Sequence, residues 1–243
     1  MITPLIFRDL LGSLAPGSRL LVAVATPLEG SAIPGGSLPP PSDPIWNPHP
    51  IADRVDLVIT GVGKAPAAAA VASILAKGAH GGVLNAGIAG ALPGDPPLPL
   101  LSVVIASAHA FADEGVAMPP EGPVPFQPLS AMGFAPRGTT GDAVPGDLGC
   151  TDLLRRRLPS AVFAPVATVS TCSGTDELAS AVAARTGARA ECMEGAAIAL
   201  AARSLGCRYA EVRTISNTTG HRSRQVWDVR GAIAALSAVF ATT

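Results

Sequence analysis

This chain of 243 residues is constrained most by a series of short apolar runs, each closing on a turn and most leading into a helix-forming stretch. Leu20-Leu21-Val22-Ala23-Val24-Ala25 carries no polar residue, the pattern of a strand buried on both faces. Val55 to Thr60 is a second such run, closing on Gly61-Val62-Gly63. Lys64 to Lys77 is Ala-rich and predicts a helix, with Pro66 in the first turn where proline is tolerated. Gly81 to Gly87 reads as strand and glycine turn, Leu101 to Ser107 as a strand, and Val162 to Ser170 as a strand interrupted at Pro165. Thr175 and Asp176 can cap a helix to about Arg185. Ala188 to Met193 then predicts a strand, Glu194 to Leu205 a helix stopped by Gly206, and Arg208 to Ser216 a strand. Ser223 to Phe240 predicts a last helix. Strands alternating with helices predict an α/β fold on a mainly parallel sheet, with the ligand crevice beyond the strand ends.

Proline is concentrated between Gly30 and Pro50, with seven prolines in 21 residues. Such a segment makes neither helix nor central strand, and residues 30–50 are expected to be an exposed surface insertion. Strand-like segments of matching composition resume on both sides of it, so residues 1–243 are expected to form one domain. Lys+Arg number 17 against 18 Asp+Glu, and charged residues are only 14%, which leaves no basic footprint for nucleic acid or an anionic membrane. The longest apolar stretch, Ala65 to Ala76, falls well short of the ~20 residues of a membrane helix. Met1 to Asp9 lacks the basic start and apolar run of a signal peptide, and a cytoplasmic location is expected. Cys150, Cys172, Cys192 and Cys207 form no C-x-x-C, and the four histidines stand at no ligand spacing to them; no metal is expected.

Familiar catalytic motifs fail by inspection. Gly63-Lys64 has Val at position 58 and no following Ser or Thr, so it is no phosphate loop. Gly61-x-Gly63 has Pro66 where a dinucleotide fingerprint needs its third glycine, and there is no G-x-S-x-G. What remains is an acid at each of two strand exits, Glu29 in Thr26-Pro27-Leu28-Glu29 and Glu194 after Met193. By themselves these can be a solvated loop residue and a helix N-terminal acid favoured by the macrodipole.

The pieces taken together carry a resemblance. Met193-Glu194-Gly195-Ala196-Ala197 resembles the ribose-binding motif of the nucleoside phosphorylase and nucleosidase superfamily, and Val212 to Asn217 its purine-site strand, which usually ends in Asp. Val24 to Glu29, Gly61 to Lys64 and Asn85 to Gly90 fall in the superfamily's order and spacing, from about residue 19 to 240. Within it, Thr26 to Glu29, Ala112 to Val116, Gly138 to Gly141, and Ser216-Asn217 followed by Arg222 and Trp227 resemble the futalosine hydrolase branch, which serves menaquinone formation. The resemblance implies a three-layer nucleoside phosphorylase-like fold, a small nucleoside substrate, no cofactor, and a homo-oligomer of two or more chains. It implies that Glu194 bridges the ribose hydroxyls under an oxocarbenium-like sugar and that Glu29 deprotonates the attacking water. Met193 is expected against the ribose, with Gly87 and Ile88 bordering the substrate.

Asn217 departs from the usual Asp. An amide offers an NH₂ donor and no proton, which suits the O6 and N7 acceptors of a 6-oxopurine and predicts hypoxanthine as leaving group. The exits also lack the arginines with which the superfamily's phosphorylases hold phosphate, favouring hydrolysis. Ser170 to Thr175 contains no aromatic residue, so the purine is expected to stack on Phe111 or Phe126. Phe126 to Phe134 is a candidate cap for the 5′ substituent, while His109, His221 and Arg222 are candidates by position alone. Cys192 stands where futalosine hydrolases commonly have Asn. The alternatives are a methylthioadenosine or adenosylhomocysteine nucleosidase, which Asn217 disfavours, and a non-catalytic nucleoside binder, which the paired glutamates disfavour.

Overall fold

The computed structural model describes residues 3–36, 46–119 and 126–241. In chain order it contains α1 (Leu5–Gly12), β1 (Arg19–Val24), α2 (Pro27–Gly30), β2 (His49–Ala52), β3 (Val55–Ile59), α3 (Lys64–Leu75), β4 (His80–Ala91) and β5 (Val103–Phe111). Then come β6 (Gly115–Ala117), β7 (Phe126–Pro128), β8 (Ala143–Pro145), α4 (Leu148–Arg157), β9 (Val162–Thr168) and α5 (Asp176–Thr186). The chain ends with β10 (Ala190–Cys192), α6 (Gly195–Ser204), β11 (Arg208–Thr218) and α7 (Val229–Ala241).

Strand periodicity sets the layers. Leu20, Val22 and Val24 of β1 face a core built with α1, α4 and α7, where Phe7 and Phe240 meet at 5.4 Å. Leu21 and Ala23 point the other way, onto α3 and α6. A strand apolar at every position is thus clothed on both faces, giving the expected three layers. The sheet runs β10-β9-β5-β11-β4-β1-β3-β2, and is parallel at β1–β3, β1–β4, β4–β11, β5–β9 and β9–β10. β4 is long enough to pair with β1 and β11 and then, at Gly90 and Ala91, with β10. That last pairing closes β4, β11, β5, β9 and β10 into a ring, and it brings β10 beside the ends of β4 and β11.

Some boundaries differ from the sequence reading for identifiable reasons. β9 runs unbroken through Pro165, because β5 bulges between Ala106 and His109 opposite it and asks for no regular ladder bond there. The last helix begins at Val229 rather than Ser223: Asp228 accepts from the Gly231 N–H at 2.8 Å and caps it, while residues 222–224 form a single 3₁₀ turn. Nor is the segment 30–50 wholly a surface insertion. Ala32 and Ile33 are buried in the core under α7, and His49–Ala52 is an edge strand against β3. Residues 37–45 of that segment lie outside the described residues.

Candidate active site

Glu29 owes its position to a capping box. Thr26 at the end of β1 accepts from the Glu29 N–H at 3.2 Å, and the Glu29 carboxylate accepts from the Thr26 N–H at 2.9 Å. Pro27 fits the first helical position of α2. The carboxylate is only 4% exposed and takes four donors: at Oε2 the Ala25 N–H, the Thr26 N–H and the Thr26 hydroxyl, and at Oε1 the Ile88 N–H at 3.0 Å. Glu29 is therefore an anchored acid, not a solvated loop residue.

Glu194, also 4% exposed, sits between β10 and α6. Its Oε1 accepts from the Gly63 N–H at 3.0 Å, and its Oε2 lies 3.6 Å from Nη1 of Arg213. Burial is the main influence on its carboxyl and holds it above the ordinary carboxylate range, in spite of Arg213 and the Gly63 N–H. Arg213, on β11 and 1% exposed, joins the site from beneath. Its Nε donates to Glu211 Oε1 at 2.7 Å. Burial opposes the guanidinium charge, but Glu211, Glu194 and Glu29 outweigh it and raise its proton affinity. Glu211 is braced in turn by His109 Nδ1 at 2.6 Å and the Tyr209 hydroxyl at 3.1 Å. Burial works against its charge, yet Arg213 and His109 bring the carboxyl down to about 2. Glu211 and Arg213 were not singled out from sequence; the available signal was two charged residues spaced by two in a strand otherwise buried on both faces.

Asn217 closes the site at the end of β11. Its Oδ1 accepts from the Ser216 hydroxyl at 2.9 Å and its Nδ2 donates to the Thr218 carbonyl at 2.9 Å, leaving one amide hydrogen free to donate. On the far side of Gly90 lies Glu191, whose oxygens accept from the Ser173 N–H at 2.9 Å and the Ser173 hydroxyl at 2.6 Å.

These groups line one cleft of about 570 Å³, which contains Glu29, Ile88, Met193, Glu194 and Asn217 together with Glu191, Ser173, Arg222 and Trp227. Three expectations need correction. Gly87 does not border the cleft; it makes room beneath it, since a side chain there would overlap Glu29 Oε1 and Arg213 Nη1. Phe111 and Phe126 line a separate groove of about 230 Å³, Phe111 because β5 turns it into the core against α6, and Phe126 because it pairs with Arg185 at 4.7 Å. Among the described residues, the aromatic ring bordering the cleft is Trp227, with the Arg222 guanidinium 4.7 Å from its centre. His109 is fully buried on Glu211 rather than in the cleft. Cys192 reaches both: burial pushes its thiol up to about 12, so it stays protonated and faces Glu211 Oε1 at 3.6 Å. The candidate 5′ cap, Phe126 to Phe134, runs through β7 and a 3₁₀ turn at Leu129–Met132 and ends on an exposed Phe134.

Two buried carboxylates, Glu194 and Glu211, thus pair with one guanidinium, and the Asn217 amide stands further along the same strand, on a three-layer α/β fold. The family model described as phosphorylase superfamily matches residues 51–242. A futalosine hydrolase of Streptomyces coelicolor is 36% identical over 231 residues, covering 90% of this chain and 92% of that protein. Another, from Acidothermus cellulolyticus, is 38% identical over 195 residues, covering 76% and 73%. The chain belongs to the phosphorylase superfamily and, within it, to the futalosine hydrolase family. Its fold matches a futalosine hydrolase mutant structure from Helicobacter pylori at a TM-score of 0.72 and 14% identity, covering 93% of this chain and 97% of that one. It also matches an adenine complex of a methylthioadenosine/adenosylhomocysteine nucleosidase from Colwellia psychrerythraea at 0.67 and 18% identity, covering 93% and 92%.

Proposed function

We propose that this cleft hydrolyses the N-ribosidic bond of futalosine to hypoxanthine and dehypoxanthinyl futalosine, in menaquinone biosynthesis by the futalosine route. The observation that carries the chemistry is that Glu29 and Glu194 both line the cleft, with the buried Arg213 behind them, 3.6 Å from Glu194 Oε2 and packed with Glu29 Oε1 against Gly87. Water on the Glu29 side attacks C1′ and gives its proton to the Glu29 carboxylate. The C1′–N9 bond breaks and its electrons pass to the purine, which takes up a proton from solvent to become hypoxanthine, while the proton held by Glu29 returns to solvent. Glu194 accepts from the ribose hydroxyls and steadies the cationic sugar, with Met193 against the ring. Asn217 donates to the departing 6-oxopurine.

Water is favoured over phosphate by charge. Three buried carboxylates, Glu29, Glu194 and Glu211, outnumber the buried guanidinium of Arg213, Arg222 standing at the exposed side of the cleft, and would repel an anionic nucleophile. Asn217 likewise supports a 6-oxopurine over the adenine of the methylthioadenosine reading. In this reading the protein is a cytoplasmic homo-oligomer; Val116, Met118 and Phe134 expose apolar side chains that assembly would cover. The test is incubation of purified protein with futalosine, methylthioadenosine and inosine without phosphate, following free base by chromatography. Hypoxanthine from futalosine is the expected product; adenine from methylthioadenosine alone would overturn the substrate assignment.

A further inference from the structure

Glu191 is a buried carboxylate at the cleft that the reaction above leaves unused. On β10 it pairs with Gly90 of β4, and Gly90 pairs in turn with Asn217 of β11. Residues directly opposite one another on neighbouring strands share a face of the sheet. The three therefore form one cross-strand row with a glycine in the middle. The absent side chain leaves a slot between an amide and a carboxyl, about 10 Å apart at the backbone from two strand spacings. A Cβ on Gly90 would intrude on it, 2.9 Å from the Thr219 methyl that borders it and 3.1 Å from Asn217 Nδ2, and Gly90, Glu191 and Asn217 all line the cleft.

Each oxygen of Glu191 takes one hydrogen bond from Ser173, and a carboxylate has room for about four, so acceptor capacity remains. Among the described residues no cation pairs with it, and burial lifts its carboxyl above the ordinary range against the two Ser173 bonds. A buried acid without a charged partner is costly unless another donor reaches it.

We propose that Glu191 accepts the N1–H of a 6-oxopurine while the one free amide hydrogen of Asn217 is shared by O6 and N7, so that the two select 6-oxopurine over 6-aminopurine nucleosides. The proposal rests on the reading of this cleft as a nucleoside hydrolase. A 6-oxopurine presents a donor at N1, where a 6-aminopurine presents a lone pair. The same carboxylate therefore gains a hydrogen bond with the first and meets a repelling acceptor with the second.

The test compares wild type, Glu191→Gln and Glu191→Asp on futalosine and on its 6-amino counterpart, with calorimetric binding of hypoxanthine and adenine alongside. For Glu191→Gln, kcat/KM on futalosine should fall about 10- to 100-fold while that on the 6-amino compound holds or rises, collapsing the selectivity ratio. Hypoxanthine binding should weaken and adenine binding should not. Glu191→Asp, which withdraws the carboxylate by one methylene, should move the ratio the same way and covers the case in which the Gln variant does not fold. An equal fall on both nucleosides, with the base-binding ratio unchanged, would mean that Glu191 only braces the Ser173 loop. If wild type releases base from neither nucleoside, the hydrolase reading fails, and the hypoxanthine-to-adenine binding ratio still decides the role of Glu191.

Discussion

Gly87 on β4 lies directly beneath Glu29, so close that a methyl group at Gly87 would occupy the space of Glu29 Oε1 and Arg213 Nη1. The backbone of Gly87 is not in the left-handed region, so alanine is conformationally allowed there and the conflict is confined to the two side chains. Displacing an acid by an ångström from a reacting centre costs on the order of 10²-fold. Gly87→Ala should therefore lower kcat by about that factor while far-UV circular dichroism stays native. A variant with wild-type kcat would show that Glu29 need not stand where the structure puts it.

Glu29→Gln separates chemistry from scaffolding. A glutamine carbonyl oxygen can still accept from Ala25 and Thr26 in the place of Oε2, so α2 and its cap should survive, while the amide NH₂ in the place of Oε1 loses only the Ile88 N–H bond. It cannot take a proton from water. Turnover of futalosine should drop by about 10²–10⁴-fold, the usual worth of a general base, with the substrate Kd little changed in calorimetry. Loss of binding in step with turnover would assign Glu29 a structural role instead.

Asn217→Asp should shift the preferred leaving group. An Asp at the end of β11 can take a proton and place it at N7, and its other oxygen accepts from a 6-amino group. The ratio of kcat/KM for methylthioadenosine over futalosine should rise by about 10²-fold, as expected where a buried site mismatches its hydrogen bonds. An unchanged ratio would locate the selectivity elsewhere in the cleft.

The fold was legible wherever burial is two-sided. β1 and β3 are apolar or nearly apolar runs, and α3 and α6 follow β3 and β10 within a few residues. The elements not anticipated are those whose signal is short or local. α1 buries Ile6, Phe7, Leu10 and Leu11 on one face but is only eight residues long, and α4 is announced by Asp147 as N-cap before a sequence rich in arginine. The two glutamates and Asn217 were visible because they stand at strand exits. Arg213 and Glu211 were not, because a strand's periodicity says which face a side chain takes and not that two charges neutralise each other inside it. Phe111 and Phe126 misled for a related reason: an aromatic residue is as useful to a core as to a purine, and only the path of β5 decides between them. The Thr26 to Glu29 spacing carried one more signature that the sequence reading did not use, a capping box, which marks Glu29 as a helix-anchored acid rather than a solvated loop residue.

Glu211 gives the site a measurable pH signature. Its carboxyl is fully buried between Arg213 and His109 and is held at about 2, well below the ~4.3 of an unfolded glutamate. A carboxylate depressed on folding contributes stability above its unfolded pKa and loses it as pH falls through the folded value. Glu211→Gln removes the charge and leaves a buried guanidinium without that partner, a change that costs about 3–5 kcal/mol in comparable buried pairs. In urea denaturation the wild type should exceed the variant by that margin at pH 7. The gap should be full above roughly pH 5 and narrow progressively below pH 4, as the wild type alone begins to take up the extra proton on unfolding. A gap of constant size from pH 7 to pH 3.5 would mean that Glu211 is not the ionised anchor of Arg213.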